Sequence, residues 1–249
     1  MKNQIILWLS SLAILFLIGY VKSVTNADFP ITGTFGIEGK KVSYKLDKVC
    51  YEKGFYRNII ISDIEGIRAS FIWRINNQQY ETAYNKIDRG LECKIPIQKP
   101  GQEIKYKVVI KHREKTFEIF ENEFIPLMFW GHIPSPVKIL FSILLYGGLL
   151  MAIRSLLELF DNNRNLKKYL LVGCTLFILL NILVNPLFMS YKLGAINKFV
   201  PSIGELVDPF LLTILLLWII GTTLIFNKIY SRIITIIISF GTIVLFFFI

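Results

Sequence analysis

An uncharged apolar run at residues 5–21, a charged and turn-rich middle third, and four further apolar runs at 137–160, 169–189, 210–226 and 229–249 divide this chain between two solvents. A helix needs about 20 apolar residues to cross a ~30 Å hydrocarbon core, and each run comes close to that length. The charges follow the same division. Of the 28 Lys/Arg and 18 Asp/Glu in the 249 residues, 18 and 14 respectively fall between Lys22 and Pro136. A hydrophobic content of 53% with only 18% charged residues is too apolar for an ordinary water-soluble domain. The formal charge of +10 is shared between the middle segment and the flanks of the apolar runs, where lysine and arginine set orientation, so nucleic acid is not an expected partner.

The first run sits between Lys2 and Lys22 and reads as a transmembrane anchor over residues 1–22. A cleaved signal peptide is the alternative. The run exceeds the usual apolar core of such a peptide and no A-x-A site follows, which favours retention. From residue 27 to 125 the pattern becomes short alternating runs rich in Val, Ile, Tyr and Phe. Strands are expected at 32–37, 41–46, 58–61, 69–75, 79–84, 91–97, 103–111 and 115–120. Glu38-Gly39-Lys40, Asn76-Asn77, Asp88-Arg89-Gly90, Lys99-Pro100-Gly101 and His112-Arg113-Glu114 supply the turns. Residues 126–136 hold prolines and Trp130 and read as an interfacial linker. The expected fold is therefore a membrane α-helical bundle of five transmembrane helices with an inserted all-β, immunoglobulin-like sandwich.

Orientation follows from the basic residues. Arg154, Arg164, Lys167 and Lys168 cluster after the second run, and Lys228 and Arg232 flank the short turn after the fourth, so both loops are expected in the cytoplasm of a bacterium, with Arg154 snorkelling to the inner surface. The N-terminus is then cytoplasmic, whereas residues 27–135, the 190–208 loop and the C-terminus lie outside the cytoplasmic membrane.

Motifs for chemistry are sparse. His112 and His132 are the two histidines, and zincin, zinc-ribbon, P-loop and dinucleotide signatures are missing, so no metal or cofactor is expected. Cys50 and Cys93 stand in the exported segment, where an oxidising compartment would allow a disulfide. Asn181 and Asn185, one helical turn apart, are expected to hydrogen-bond between helices. The outer loop contains Glu205 and Asp208, the only acidic residues after Asp161, beside Tyr191, Lys192, Gly194, Pro201 and Gly204. Two readings stay open for it. Glu205 and Asp208 could serve as metal ligands or an acid/base pair, or Asp208 could cap a helix that starts at Pro209.

Pro30-Ile31-Thr32-Gly33-Thr34, Gly39-Lys40-Lys41-Val42-Ser43-Tyr44 and Ile104-Lys105-Tyr106, with Pro186, Tyr191, Gly194, Ala195, Pro201, Gly204, Glu205, Leu206 and Asp208, resemble an uncharacterised bacterial multi-pass membrane protein family. Its members have an anchor, a sandwich opening on P-x-x-G-T, and an outer loop of the form G-P-x-x-x-x-Y-x-F-G-A…P-F-G-x-D-L-T-D-N-K. The family's tryptophan, threonines and Asn-Lys ending are replaced here around Asn197-Lys198-Phe199, Val207 and Pro209-Phe210. The resemblance implies the architecture and no activity. The function expected is that of a non-enzymatic envelope component, embedded in the bilayer, whose exported β region and outer loop bind a protein partner. The alternative is a lipid- or glycan-modifying enzyme using Glu205 and Asp208.

Overall fold

A computed structural model describes the chain apart from residues 1, 27, 52–53, 63, 77, 120–122, 162–164, 197 and 228–230. Asn77, Phe120, Arg164, Asn197, Lys228 and Ile229, all part of the sequence expectations, lie outside the described residues. The chain divides into two compact units, one of residues 1–25, 133–191 and 195–249, the other of residues 26–132 and 192–194.

The β unit holds eleven strands among the described residues: β1 Ile31–Ile37, β2 Lys40–Leu46, β3 Val49–Cys50, β4 Phe55–Ser62, β5 Arg68–Ile75, β6 Gln78–Ala83, β7 Asn85–Ile87, β8 Gly90–Pro96, β9 Glu103–His112, β10 Lys115–Glu118 and β11 Ile125–Phe129. They form a five-stranded sheet in the order β1-β2-β4-β8-β7 and a six-stranded one in the order β3-β11-β9-β5-β6, with β10 on β9. Alternation explains the packing. Along β4 exposed and buried residues strictly alternate, so Tyr56, Asn58, Ile60 and Ser62 point in while Phe55, Arg57, Ile59 and Ile61 point out. Inward residues of both sheets, among them Val42, Ile60, Phe71, Ile95, Tyr106 and Leu127, form one continuous core.

Turn chemistry fixes the registers. Ile37 pairs with Lys40 across a two-residue loop in which Glu38 (φ 50°) and Gly39 (φ 76°) both take left-handed conformations, as a hairpin matched to strand twist requires. Between His112 and Lys115 the two-residue loop has one left-handed residue, Arg113 (φ 53°). At Gly90 the reason is different. A Cβ there would run into the carbonyl oxygen of Ile60 on the neighbouring strand, and φ is 147°. Gly90→Ala should therefore cost about 2 kcal/mol or more, read as a lowered thermal midpoint of the purified protein.

Three strands were not foreseen. β7 and β3 are too short to show a period, and β11 falls in the expected interfacial linker because Pro126 argues against a strand. β3 pairs only Met128 and Phe129 of β11, so Pro126 lies where one side of the strand is unpaired and a missing N–H is tolerated.

A polar network is buried among these apolar side chains. Tyr84 Oη donates to Asn58 Oδ1 (2.7 Å), Asn58 Nδ2 donates to the Lys45 carbonyl (3.0 Å), and Tyr106 Oη donates to the Asp47 carbonyl (2.9 Å). Burial, reinforced by Glu92, pushes the Cys93 thiol up to about 12, and burial first of all raises the phenols of Tyr56, Tyr84 and Tyr106. Groups whose folded values are raised stabilise the fold below their unfolded values and lose that contribution as pH climbs toward the folded ones. The β unit should hold constant stability through neutral pH and weaken progressively above about pH 9, where unfolded thiols and then phenols begin to ionise. Denaturant midpoints measured across that range check this.

The helical unit contains α1 Lys2–Thr25, α2 Ser135–Glu158, α3 Leu166–Lys192, α4 Ile203–Leu206, α5 Pro209–Phe226 and α6 Ser231–Phe246. Small residues let the helices approach. Gly148 lies under the Phe177 ring, Gly173 under Trp218 and Gly221 under Ile238, and a Cβ at any of them would collide. Trp218 Nε1 donates to Thr242 Oγ1 (2.8 Å), joining α5 to α6. Within α3, residues Leu180–Val184 form a π turn in which the Asn185 N–H bonds the Leu180 carbonyl. Pro186 follows immediately, and the widened turn absorbs its missing donor and its ring.

The expected five-helix membrane bundle with an inserted immunoglobulin-like sandwich is corrected by these elements. The architecture is mixed, with eleven strands in two sheets beside six helices among the described residues. Four helices, α1, α2, α3 and α5, are long and apolar enough to cross a membrane. The last apolar run yields α6, whose 16 residues span about 24 Å, short of a ~30 Å core. The β region buries a core of its own, so it is a folding unit in its own right.

Candidate functional site

The residues of the 190–208 loop are divided between the two units. Tyr191, Pro201, Gly204, Glu205 and Asp208 belong to the helical unit, whereas Lys192 and Gly194 group with the β unit, where the Lys192 ammonium lies 4.5 Å from the centre of the Trp130 ring and Gly194 (φ 64°) abuts Pro100. Both carboxylates are engaged in helix starts. Glu205 Oε2 accepts from the Ser202 N–H (2.8 Å) and hydroxyl (2.9 Å), a capping box opening α4, and these bonds hold its carboxyl below the usual range. Asp208 Oδ1 accepts from the N–H groups of Phe210 (2.8 Å) and Leu211 (3.0 Å), with Pro209 at the first helical position. Asp208→Ala should cost about 1 kcal/mol of stability through the lost cap, measurable by thermal unfolding. Among the described residues no group of three or more His, Cys, Asp or Glu is placed to hold a metal ion.

Asn185, 2% exposed, donates to the Leu206 carbonyl (3.3 Å) and so reaches another element, but Asn181 donates to Phe177 O of its own helix (3.0 Å) and makes no interhelical bond among the described residues. Cys50 lies on β3 and Cys93 on β8, in different sheets, and no disulfide joins them. His112 is the inward-facing last residue of β9. Its Nε2 is 3.4 Å from Glu38 Oε2, and Arg113 donates to Glu38 Oε1 (2.8 Å), across a cleft of about 630 Å³ between two hairpin tips. The His112 Nδ1 is buried and has no hydrogen-bond partner among the described residues.

Two features stand out that the sequence alone did not disclose. The first is a buried ion pair. Arg154 and Glu158, one turn apart on α2, are both fully buried, with Arg154 Nη2 2.7 Å from Glu158 Oε2. Arg154 does not snorkel. It donates to Gln4 of α1 and lies against the rings of both Trp8 (5.5 Å to the centroid) and Tyr169 (4.6 Å), which meet each other edge-on with centroids 5.7 Å apart. Glu158 Oε1 accepts from the Asn165 N–H (2.9 Å), and Gln4 also donates to Asp161 (2.5 Å). Ionisable groups within apolar helices are costly and are retained for a structural or functional reason. Here the pair fastens the start of α1 to the end of α2 and the start of α3. A glutamate four residues after an arginine near a span end was the available signal, and an assumed path to water obscured it.

The second is the outward face of the five-stranded sheet. Phe55, Ile59 and Ile61, which are 55%, 43% and 56% exposed, line its central strand β4. Arg57 shares that row, Lys94 and Glu92 flank it on β8, and Lys41 and Lys45 flank it on β2. Lys94 pairs with Glu92 (3.0 Å) and Lys45 with Asp47 (3.2 Å), while Lys41 and Arg57 have no ion pair among the described residues. The face therefore carries a row of three exposed apolar side chains flanked mostly by basic ones. Compared with known proteins, the chain matches no family model, and no curated protein or solved structure is similar to it.

Proposed function

We propose that this chain is a non-enzymatic component of the bacterial envelope, held in the cytoplasmic membrane by its apolar helices, whose β unit on the outer side binds a protein partner through the outward face of the five-stranded sheet. The observation that carries this reading is the row Phe55, Ile59 and Ile61, three large apolar side chains facing water on the middle strand of a sheet. Three such neighbours cost solvation that a monomer has no reason to bear.

The orientation is supported by contacts within the helical unit. The start of α1 meets the end of α2 at Gln4, Arg154 and Asp161, and Lys167 and Lys168 follow on α3, so the basic loop shares an end with the N-terminus. At the opposite end, Lys22 Nζ donates to the Phe246 carbonyl (2.6 Å), which ties the end of α1 to the end of α6.

A photo-crosslinking residue at Ile59 in living cells, with one at Gln79 on the other sheet as control, tests the reading. A defined protein adduct at Ile59, lost on Ile61→Glu and absent at Gln79, is expected. Adducts to lipid alone, or none, would sink it. A cysteine introduced at Thr34 should react in intact cells with a membrane-impermeant maleimide, and failure to do so would reverse the orientation.

A further inference from the structure

The same sheet has an edge that invites a strand. β1, Ile-Thr-Gly-Thr-Phe-Gly-Ile, pairs with β2 in unbroken register at all seven positions and is the terminal strand of its sheet. Proteins protect such edges with charge, proline, bulges or brevity. The other terminal strands follow that rule. β7 has three residues with Lys86, β3 has two, and β6 carries Glu81. β1 carries no charge, no proline and no bulge.

We propose that β1 is a docking edge at which the partner adds an extended, acidic segment as a further strand of the five-stranded sheet. The proposal rests on the reading of the β unit as a protein-binding module and specifies how the partner engages it. Register dictates the chemistry. On the outward face Gly36 stands opposite Lys41, and Thr32 opposite Lys45, so a missing and a short side chain leave both ammonium groups room to reach over the edge, Lys45 by exchanging its exposed pairing with Asp47. An added strand lies two spacings of about 4.8 Å from β2, a gap that a lysine and a glutamate extended toward each other can close. Between these rows, Thr34 stands opposite Ser43, and Ser43 opposite Ile61, which leads from the edge to the apolar row.

Thr32, Thr34 and Gly36 alternate with the inward-facing Gly33 and Phe35, so the complementary segment reads acidic, apolar, neutral, apolar, acidic. A second copy of β1 does not fit this pattern. It offers no carboxylate and would bring another Lys41 and Lys45 to the same edge, so the occupant is a different, acidic chain.

The test uses the full chain in detergent micelles and a fluorescent peptide, Ser-Glu-Val-Thr-Val-Glu-Ser, read by anisotropy. Binding is expected to be at least about tenfold tighter than that of the version with lysine for glutamate, and to weaken at least about tenfold with Lys41→Glu plus Lys45→Glu. Strand pairing uses the N–H groups of alternate residues, so of two peptides N-methylated on the Val or on the Glu and Thr positions, one should lose binding and the other keep it. Equal binding of both N-methylated peptides would show charge adhesion without pairing, and absence of binding by the parent peptide would likewise overturn the proposal. A dimer of the chain that Thr34→Lys dissolves would assign the edge to a second copy and overturn it too. Persistence of the Ile59 crosslink while the peptide fails would defeat strand addition alone and leave the broader reading standing.

Discussion

Arg154→Leu should destabilise the helical unit by about 3–5 kcal/mol, because it leaves the Glu158 carboxylate buried without its counter-charge. The same change removes the cation lying against Trp8 and Tyr169 and the donor to Gln4, so the start of α1 loses its fastening to α2 and α3. Thermal unfolding in detergent should show a large drop, accompanied by easier proteolysis near residue 4. The double variant Arg154→Leu with Glu158→Leu should recover most of the loss, since two apolar residues of similar size remove both desolvation penalties at once. Were the single variant as stable as the parent, the pair would have to be solvated. Glu158→Gln should be milder, because the amide can still accept from the Asn165 N–H.

Phe71→Ala should cost the β unit a comparable 3–5 kcal/mol, on the order found when a buried ring is truncated and its site cannot collapse. Phe71 is fully buried on β5, stacked on Tyr106 with ring centres 4.7 Å apart and tilted against Tyr56 at 6.2 Å. Tyr106 is itself held by its bond to the Asp47 carbonyl, so the void has little freedom to fill. Chemical denaturation followed by tryptophan fluorescence should report the loss through Trp73, which lies on the same strand. A change below about 1 kcal/mol would mean that the core repacks around the missing ring.

Long apolar helices and strands were legible for the same reason: each is written in local periodicity. The apolar runs gave α1, α2, α3 and α5, and period-two alternation with Gly, Asn and Asp turns gave eight of the strands to within a few residues. Asp208 before Pro209 announced a helix start, and the carboxylate is found capping α5 as that pattern demands. What escaped was whatever depends on a partner remote in sequence. β3, β7 and β11 are strands because β11, β8 and β9 lie beside them, which no local period records. Cys50 and Cys93 belong to different sheets, a fact of topology and not of spacing.

The amino-acid sequence by itself determined which segments avoid water, where strands begin and turn, and which carboxylates start helices, because solvent preference, backbone propensity and capping act over a few residues. Only the tertiary structure decided that Arg154 is enclosed with Glu158 by residues of α1 and α3, that Phe55, Ile59 and Ile61 align on an outer face, and that β1 ends a sheet with its edge open. Enclosure, alignment and edge position arise from contacts between residues far apart in the chain, and the free energy that selects among them appears only when those residues meet.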